Sequence, residues 1–261
     1  MVTILAVIIL SGLLFIGFMI RNAFLNRVID HDLFFDEFPE SFGTLTIFFI
    51  SDIHKRSISD QIIQEAKGKA DLVVVGGDLT EKKVPLDRVE QNVLKLKQIG
   101  PVYFVWGNND YEADYHMLDA ILLKNGVKIL DNTAVVFESG QGEKISLLGI
   151  DDLGLERDRL DLAVADADEE SFRILISHNP AIIHKAGVNH EIPLILSGHT
   201  HGGQIRFFGI GPYSLGGIRK RQNSVQLVSN GYGTTTLPFR LGALPETHII
   251  TLKNSVLQSK N

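Results

Sequence analysis

The chain has 261 residues, 44% hydrophobic and 21% charged, with 24 glycines and a formal net charge of −6. These values allow one domain or two small ones with ample core, and they exclude collagen, a long coiled coil and general disorder. The absence of cysteine excludes disulfides, thiolate metal sites, iron–sulfur clusters and cysteine catalysis, and the acidic balance argues against a nucleic-acid binder with a broad basic face.

In chain order, the first element is residues 2–20, VTILAVIILSGLLFIGFMI, an unbroken uncharged run. As a helix it spans roughly 28 Å, close to the hydrocarbon thickness of a bilayer. A secretory signal would want Lys or Arg before the run and a small-x-small site after it, and neither is evident; a buried core helix is the bland alternative. The reading is one uncleaved span anchoring the chain in the cell membrane. Arg21 and Arg27 on its C-terminal side predict that the large domain faces the cytoplasm. Residues 1–21 are thus taken as the anchor, 22–43 as a partly packed connector rich in phenylalanine, 44–254 as the catalytic domain and 255–261 as a tail.

Beyond the connector the pattern alternates between strand and helix. Apolar runs rich in branched and aromatic residues predict buried strands at 45–50, 72–75, 102–106, 145–150, 173–177 and 193–197. Helical patterns fall near 58–68, 85–99, 114–125 and 180–187. Pro85 suits a first helical turn, and Gly100 and Gly126 suit C-terminal stops. Short strands near 203–208, 225–229 and 247–253 read as antiparallel. The class is α/β.

Five of the strands end in polar clusters. They run into Ser51-Asp52-Ile53-His54, Gly76-Gly77-Asp78, Gly107-Asn108-Asn109-Asp110, His178-Asn179-Pro180 and Gly198-His199-Thr200-His201-Gly202-Gly203. Ligands of open α/β sheets bind beyond the carboxyl ends of strands, so these tips are expected to meet at one edge. They offer carboxylates, imidazoles and an amide oxygen, a donor set that suits two divalent cations of the zinc, manganese or iron kind. Each motif alone has a bland reading as a turn or a helix cap. Two histidines at i, i+2 in a glycine-rich turn have little packing value, and five such tips in order point jointly to a metal centre.

The order D-x-H, G-D, G-N-x-D, H, G-H-x-H resembles the calcineurin-like metallophosphoesterase superfamily over residues 45–253. GHTHGGQI and GYGTTTLPFRLGALPE are similar to its small membrane-associated branch, which includes enzymes like UDP-2,3-diacylglucosamine pyrophosphatase. The resemblance implies a four-layer α/β/β/α sandwich, here preceded by one transmembrane helix. It implies that Asp52, His54 and His201 hold one metal, that Asn108, His178 and His199 hold the other, and that Asp78 bridges them. The implied chemistry is hydrolysis of a phosphodiester or pyrophosphate by a metal-bridging hydroxide, on a phosphate ester that is lipid- or nucleotide-linked. Histidine ligands must be neutral to bind metal, so activity is expected to fall in mild acid.

One position departs from the pattern. The family motif is G-N-H-D or G-N-H-E, and this chain has Asn109 where the histidine stands. An amide donates a hydrogen bond but transfers no proton at ordinary pH. The departure is a tolerated variant, or it marks a substrate with a good leaving group, or it marks a weakened metal-binding sensor domain. Asp110 is expected to orient a ligand histidine. Asp151 and Asp152 read as a turn; His31, His116, His184, His190 and His248 read as surface or packed residues. Arg219, Lys220 and Arg221, beside aromatic residues in a glycine-rich stretch, suit an anionic headgroup or a solvated turn.

Overall fold

The runs without polar interruption become strands because both of their faces are covered. In β2 (Thr44–Ile50) and β3 (Leu72–Gly76), Phe48, Ile50, Val73 and Val75 point to one side, and Ile47, Phe49, Leu72 and Val74 to the other. This is the period-two alternation of a strand. The first set packs on α2 (Asp60–Ala66), α3 (Leu86–Leu96) and α4 (Tyr115–Lys124). The second set meets the inner face of another sheet, through Ile145, Leu147, Ile174, Ile176, Leu194 and Leu196. The outer face of that second sheet is covered by α5 (Leu160–Asp166) and α6 (Ile183–Ala186). The result is the four-layer α/β/β/α sandwich.

The computed structural model describes residues 1–186, 190–221 and 223–256. The tail expected over 255–261 therefore lies, from residue 257 onward, outside the described residues, as does the last residue of the helix expected over 180–187.

The first sheet has the order β1-β12-β2-β3-β4-β5, adding β1 (Val28–Phe35), β4 (Val102–Val105), β5 (Lys128–Ile129) and β12 (Thr247–Asn254) to β2 and β3. The second has the order β10-β11-β9-β8-β7-β6: β6 (Thr133–Glu138), β7 (Lys144–Gly149), β8 (Phe172–Ile176), β9 (Leu194–Ser197), β10 (Gly217–Arg221) and β11 (Ser224–Val228). The helices start where the side chains permit: Ser59 accepts from the Gln61 amide at the head of α2, and Asp114 accepts from the Met117 amide at the head of α4.

Several expectations need correction. Part of the stretch read as a connector is the edge strand β1, parallel to β12; its charged residues sit on a half-exposed edge and hide the strand pattern. Residues 203–208 form no strand, only single bridges from Ile205 to Leu241 and Gly242 and from Phe207 to Ile210, because Gly203 and Gln204 take positive φ. Strand β11 is parallel to β9 and antiparallel only to β10, and β12 is antiparallel to β2 but parallel to β1.

Ahead of the sandwich stands α1 (Val2–Ala23), long and apolar enough to cross a membrane. Most of its residues are exposed; only Met19, Asn22 and Ala23 are buried, at its C-terminal end.

Candidate metal centre

Every candidate ligand sits just past the carboxyl end of a strand, but the edge belongs to two sheets. Asp52 and His54 follow β2, Asp78 follows β3, and Asn108, Asn109 and Asp110 follow β4; His178 follows β8, and His199 and His201 follow β9. The two sheets face one another, so ligands from both converge in one cleft. The turns that aim them are tight. Asp52, His54, Asp78, His199 and His201 all take positive φ, between 51° and 72°, a backbone region that disfavours residues with a Cβ by about 1–2 kcal/mol each. Such strain concentrates at functional sites. Two glycines make room for the carboxylates. A Cβ on Gly107 would lie 2.3 Å from Asp78 Oδ1, and one on Gly198 would lie 2.4 Å from Asp52 Oδ2.

The donor atoms close on one another in two overlapping groups. Asp52, His54 and His201 form one and Asp52, Asp78 and His178 the other; within each, the ligand atoms lie within 4.8 Å, and all five residues are buried. His54 Nε2 and His201 Nε2 approach to 3.1 Å, and His201 Nε2 stands 3.3 Å from Asp52 Oδ1. His178 Nε2 is 3.2 Å from Asp78 Oδ2 and 3.2 Å from His199 Nδ1. Its other nitrogen, Nδ1, is 2.9 Å from the Gly76 carbonyl, which fixes the proton there and turns Nε2 toward the cluster. The Asn108 side-chain oxygen is buried without a hydrogen-bond partner among the described residues. An acceptor left bare inside a ring of imidazoles and carboxylates fits a cation, because a buried polar atom otherwise loses its hydration for nothing. Asp52 belongs to both groups, so in this geometry Asp52 is the residue they share, and Asp78 belongs to the second alone. A cavity of about 320 Å³ opens onto the cluster, lined by Asp78, Asn108, Asn109, His199, His201 and the rim residues Gln204, Pro212, Tyr213 and Thr235.

The electrostatics follow from burial opposed by charge. Burial works against the ionised form of Asp78, yet facing His178, together with His54 and the Asn109 amide, holds its carboxyl well below the usual carboxylate range. Burial likewise opposes the His178 imidazolium, but Asp78 outweighs it and pushes the group up to about 10. His201 goes the other way: burial, with the charges of His54 and Arg240, brings it down to about 3 despite Asp52. His199 is lowered by burial and by His178. Cations entering this cluster would replace protons as the countercharge of Asp52 and Asp78.

Asn109 does not stand free. Its backbone N–H donates to Asp78 Oδ1 at 2.8 Å and its Nδ2 to Asp78 Oδ2 at 2.7 Å, so it clamps that carboxylate. Asp110 corrects its expectation: among the described residues it has no histidine as a hydrogen-bond partner. It accepts from the backbone N–H groups of Asp78, Thr80 and Gly107 and so joins two ligand loops. Burial, then the Asp78 charge, pushes its carboxyl up to about 7. The role given to Asp110 falls instead to Glu81, whose Oε2 is 3.1 Å from His54 Nδ1 while Lys55 holds its Oε1.

Other residues of the centre carry no motif. Arg240 is wholly buried; its guanidinium donates to the carbonyls of Asn230, Gly233 and Ala243 and comes within 3.2 Å of His201 Nδ1. Its own backbone N–H donates to the Met19 carbonyl at the foot of α1. Arg56, two residues after His54, donates to the carbonyls of Phe24, Leu25 and Tyr232. Asp152 is buried, with Oδ1 on the Leu155 amide in the expected turn and Oδ2 unpartnered among the described residues. Asp151 accepts from Tyr111 and Arg157. His31 and His248 pair at 3.0 Å, whereas His116 and His184 are exposed. The basic triplet Arg219–Arg221 lies on β10 and lines a separate cavity with Pro180, His184 and Gln226.

Comparison with known proteins agrees with this geometry. Residues 45–203, which contain all the candidate ligands, match the calcineurin-like phosphoesterase family. A Bacillus subtilis (strain 168) protein, YpbG, is 50% identical over 80% of this chain and 81% of its own. A Danio rerio transmembrane protein with a metallophosphoesterase domain is 32% identical over 97% of this chain, which spans 63% of that longer relative. The metallophosphoesterase YkoQ of Bacillus subtilis (strain 168) is 29% identical over 77% of this chain and 81% of its own. In fold, the phosphopantetheinyl hydrolase PptH of Mycobacterium tuberculosis superposes with a TM-score of 0.51 over 72% of this chain and 90% of its own, at 12% identity. By sequence, fold and the clustering of its ligand-bearing loops, the chain belongs to the calcineurin-like phosphoesterase family.

Proposed function

We propose that the protein is a membrane-anchored hydrolase with two divalent cations that cleaves a phosphodiester or pyrophosphate bond, its substrate lipid- or nucleotide-linked. The observation that carries this reading is the pair of overlapping donor groups built on Asp52 at the mouth of one cavity. Asp52, His54 and His201 would hold one cation; Asn108, His178 and His199 would hold the other, with Asp78 between them. Oxygen and imidazole donors suit manganese, zinc or iron. When bound, such ions acidify a water to serve as nucleophile near neutral pH and neutralise charge on the phosphoryl oxygens.

The chain's own residues do the rest. Asn109 fixes the Asp78 carboxylate through two N–H groups, and Asp110 fixes the loop behind it. Arg240 beside His201 favours the neutral imidazole that metal binding needs. No imidazole occupies position 109 to protonate a departing oxygen, which favours leaving groups that need little protonation, such as the nucleoside monophosphate of a pyrophosphate. An apolar helix ahead of the domain, and a relative described as a transmembrane protein, support anchoring.

The test is hydrolysis of bis(p-nitrophenyl) phosphate by the full chain with added manganese. Turnover that disappears in Asp78→Asn and in His201→Ala supports the hydrolase. A protein that binds manganese and cleaves nothing is a sensor, and the reading fails.

A further inference from the structure

Two loops leave the metal-site edge and are joined into one unit. Residues 205–215 follow His201, and residues 235–241 lead to Arg240. The Arg206 amide donates to the Leu241 carbonyl and the Leu241 amide to the Gln204 carbonyl, while the Gln204 side chain bonds Thr235 and the Leu237 carbonyl. The outer surface of this unit is apolar: Phe207, Phe208, Ile210, Tyr213, Leu215 and Leu237 are each about half exposed or more, and Phe208 is fully exposed. Each of these two segments contains one charged side chain, and both are hydrogen-bonded to the protein itself. Arg206 donates to the carbonyls of Gly202, Gly209 and Tyr213, and Arg240 is buried beside His201. Such a patch is costly in water, yet its ionic groups are already satisfied for a medium without water.

The topology says which medium. The foot of α1 docks on this same unit, through Met19 O to the Arg240 amide and Asn22 to the Arg240 carbonyl. Its end is also held by Arg56 beside the ligand loop of β2. After α1 the chain enters β1 at the site edge, since Ile29 pairs with His248 and His248 with Phe49, near the end of β2. The apolar helix, the apolar loops and the cavity mouth therefore share one edge of the sandwich.

We propose that the loop pair 205–215 and 235–241 is a second membrane contact, which enters the boundary between headgroups and acyl chains and sets the cavity mouth at the bilayer surface. Membrane-surface elements bind in this way, with apolar side chains in the acyl boundary and polar groups above it. Pro212 and Tyr213 belong both to the loop and to the cavity lining, so a phosphoester carried on a lipid reaches the ligands without leaving its leaflet. That corollary rests on the hydrolase reading; the contact itself does not.

The test uses the full chain with Phe208→Trp, and separately Ile210→Trp, in phosphatidylcholine–phosphatidylglycerol vesicles with or without bromine on the acyl chains. The native Trp106 is buried and its signal is subtracted. The expected result is blue-shifted emission cut at least twofold by brominated lipid at 208 and 210, with Gln141→Trp, in the β6–β7 turn at the opposite edge, unquenched. Water-like, unquenched emission overturns the contact. So does blue-shifted emission that bromine leaves untouched, which would mean that a second copy or another protein covers the loops. Bis(p-nitrophenyl) phosphate turnover of the same variants separates the two claims: quenching without turnover sinks only the hydrolase, and turnover without quenching sinks only the contact.

Discussion

Asn109 and Glu81 are single side chains that hold candidate ligands in place, Asn109 on Asp78 and Glu81 on His54. Glu81 faces the non-ligating nitrogen of His54, and outer partners of this kind hold a ligand's orientation and basicity. Glu81→Gln is therefore expected to weaken manganese binding about 10- to 100-fold by calorimetry, while Lys55→Gln, which touches only the exposed side of Glu81, changes it little. At position 109, introducing an imidazole should flatten the dependence of rate on leaving-group pKa. Asn109→His is expected to raise turnover of poor leaving groups more than good ones across a series of aryl phosphodiesters, and an unchanged steep slope would contradict the assignment. Asp52, Asp78, His199 and His201 were readable from sequence because polar residues clustered after apolar strands have few structural uses. Glu81, Arg56 and Arg240 were not, because their roles arise from contacts between loops far apart in the chain and no spacing announces them.

At the level of elements, strands buried on both faces were legible and edge strands were not. Strands β2, β3, β8 and β9 carry long apolar runs because helices cover one face and the other sheet covers the second. Strands β1, β6 and β10 sit at a sheet edge and keep polar residues, so β1 reads as a connector, β10 as a glycine-rich basic stretch, and β6 gives no strand pattern. The edge pairing carries a measurable liability. His248 on β12 lies against His31 on β1 and the Ser229 hydroxyl, and burial, with the charges of His31 and Arg27, brings it down to about 3. The unfolded chain takes up this proton near pH 6.5 and the folded chain only near 3, so unfolding is favoured as pH falls through that window. Denaturation midpoints should drop steadily from pH 7 to pH 4 at constant ionic strength, and His248→Gln should flatten the drop if the amide keeps the Ser229 bond.

The whole molecule is two sheets that face one another, with the candidate ligand cluster between them. Ligands of β2, β3 and β4 come from one sheet and those of β8 and β9 from the other, so bound cations would link the layers. A ligand that binds only the folded state adds about 2.7 kcal/mol at a hundredfold excess over its Kd. Treatment with a chelator is expected to lower the melting temperature by several degrees, and Asp52→Asn, which touches both groups, should abolish that difference. Arg240→Ala would leave the carbonyls of Asn230, Gly233 and Ala243 without their donor and is expected to cost at least about 3 kcal/mol in urea unfolding. Few residues separate the last turn of α1 at Ala23 from the start of β1 at Val28, and Arg56 pins that short stretch in place. With the helix seated in lipid as proposed, the head would be on a leash with almost no slack: it would patrol a plane, and any substrate would have to be delivered to that plane.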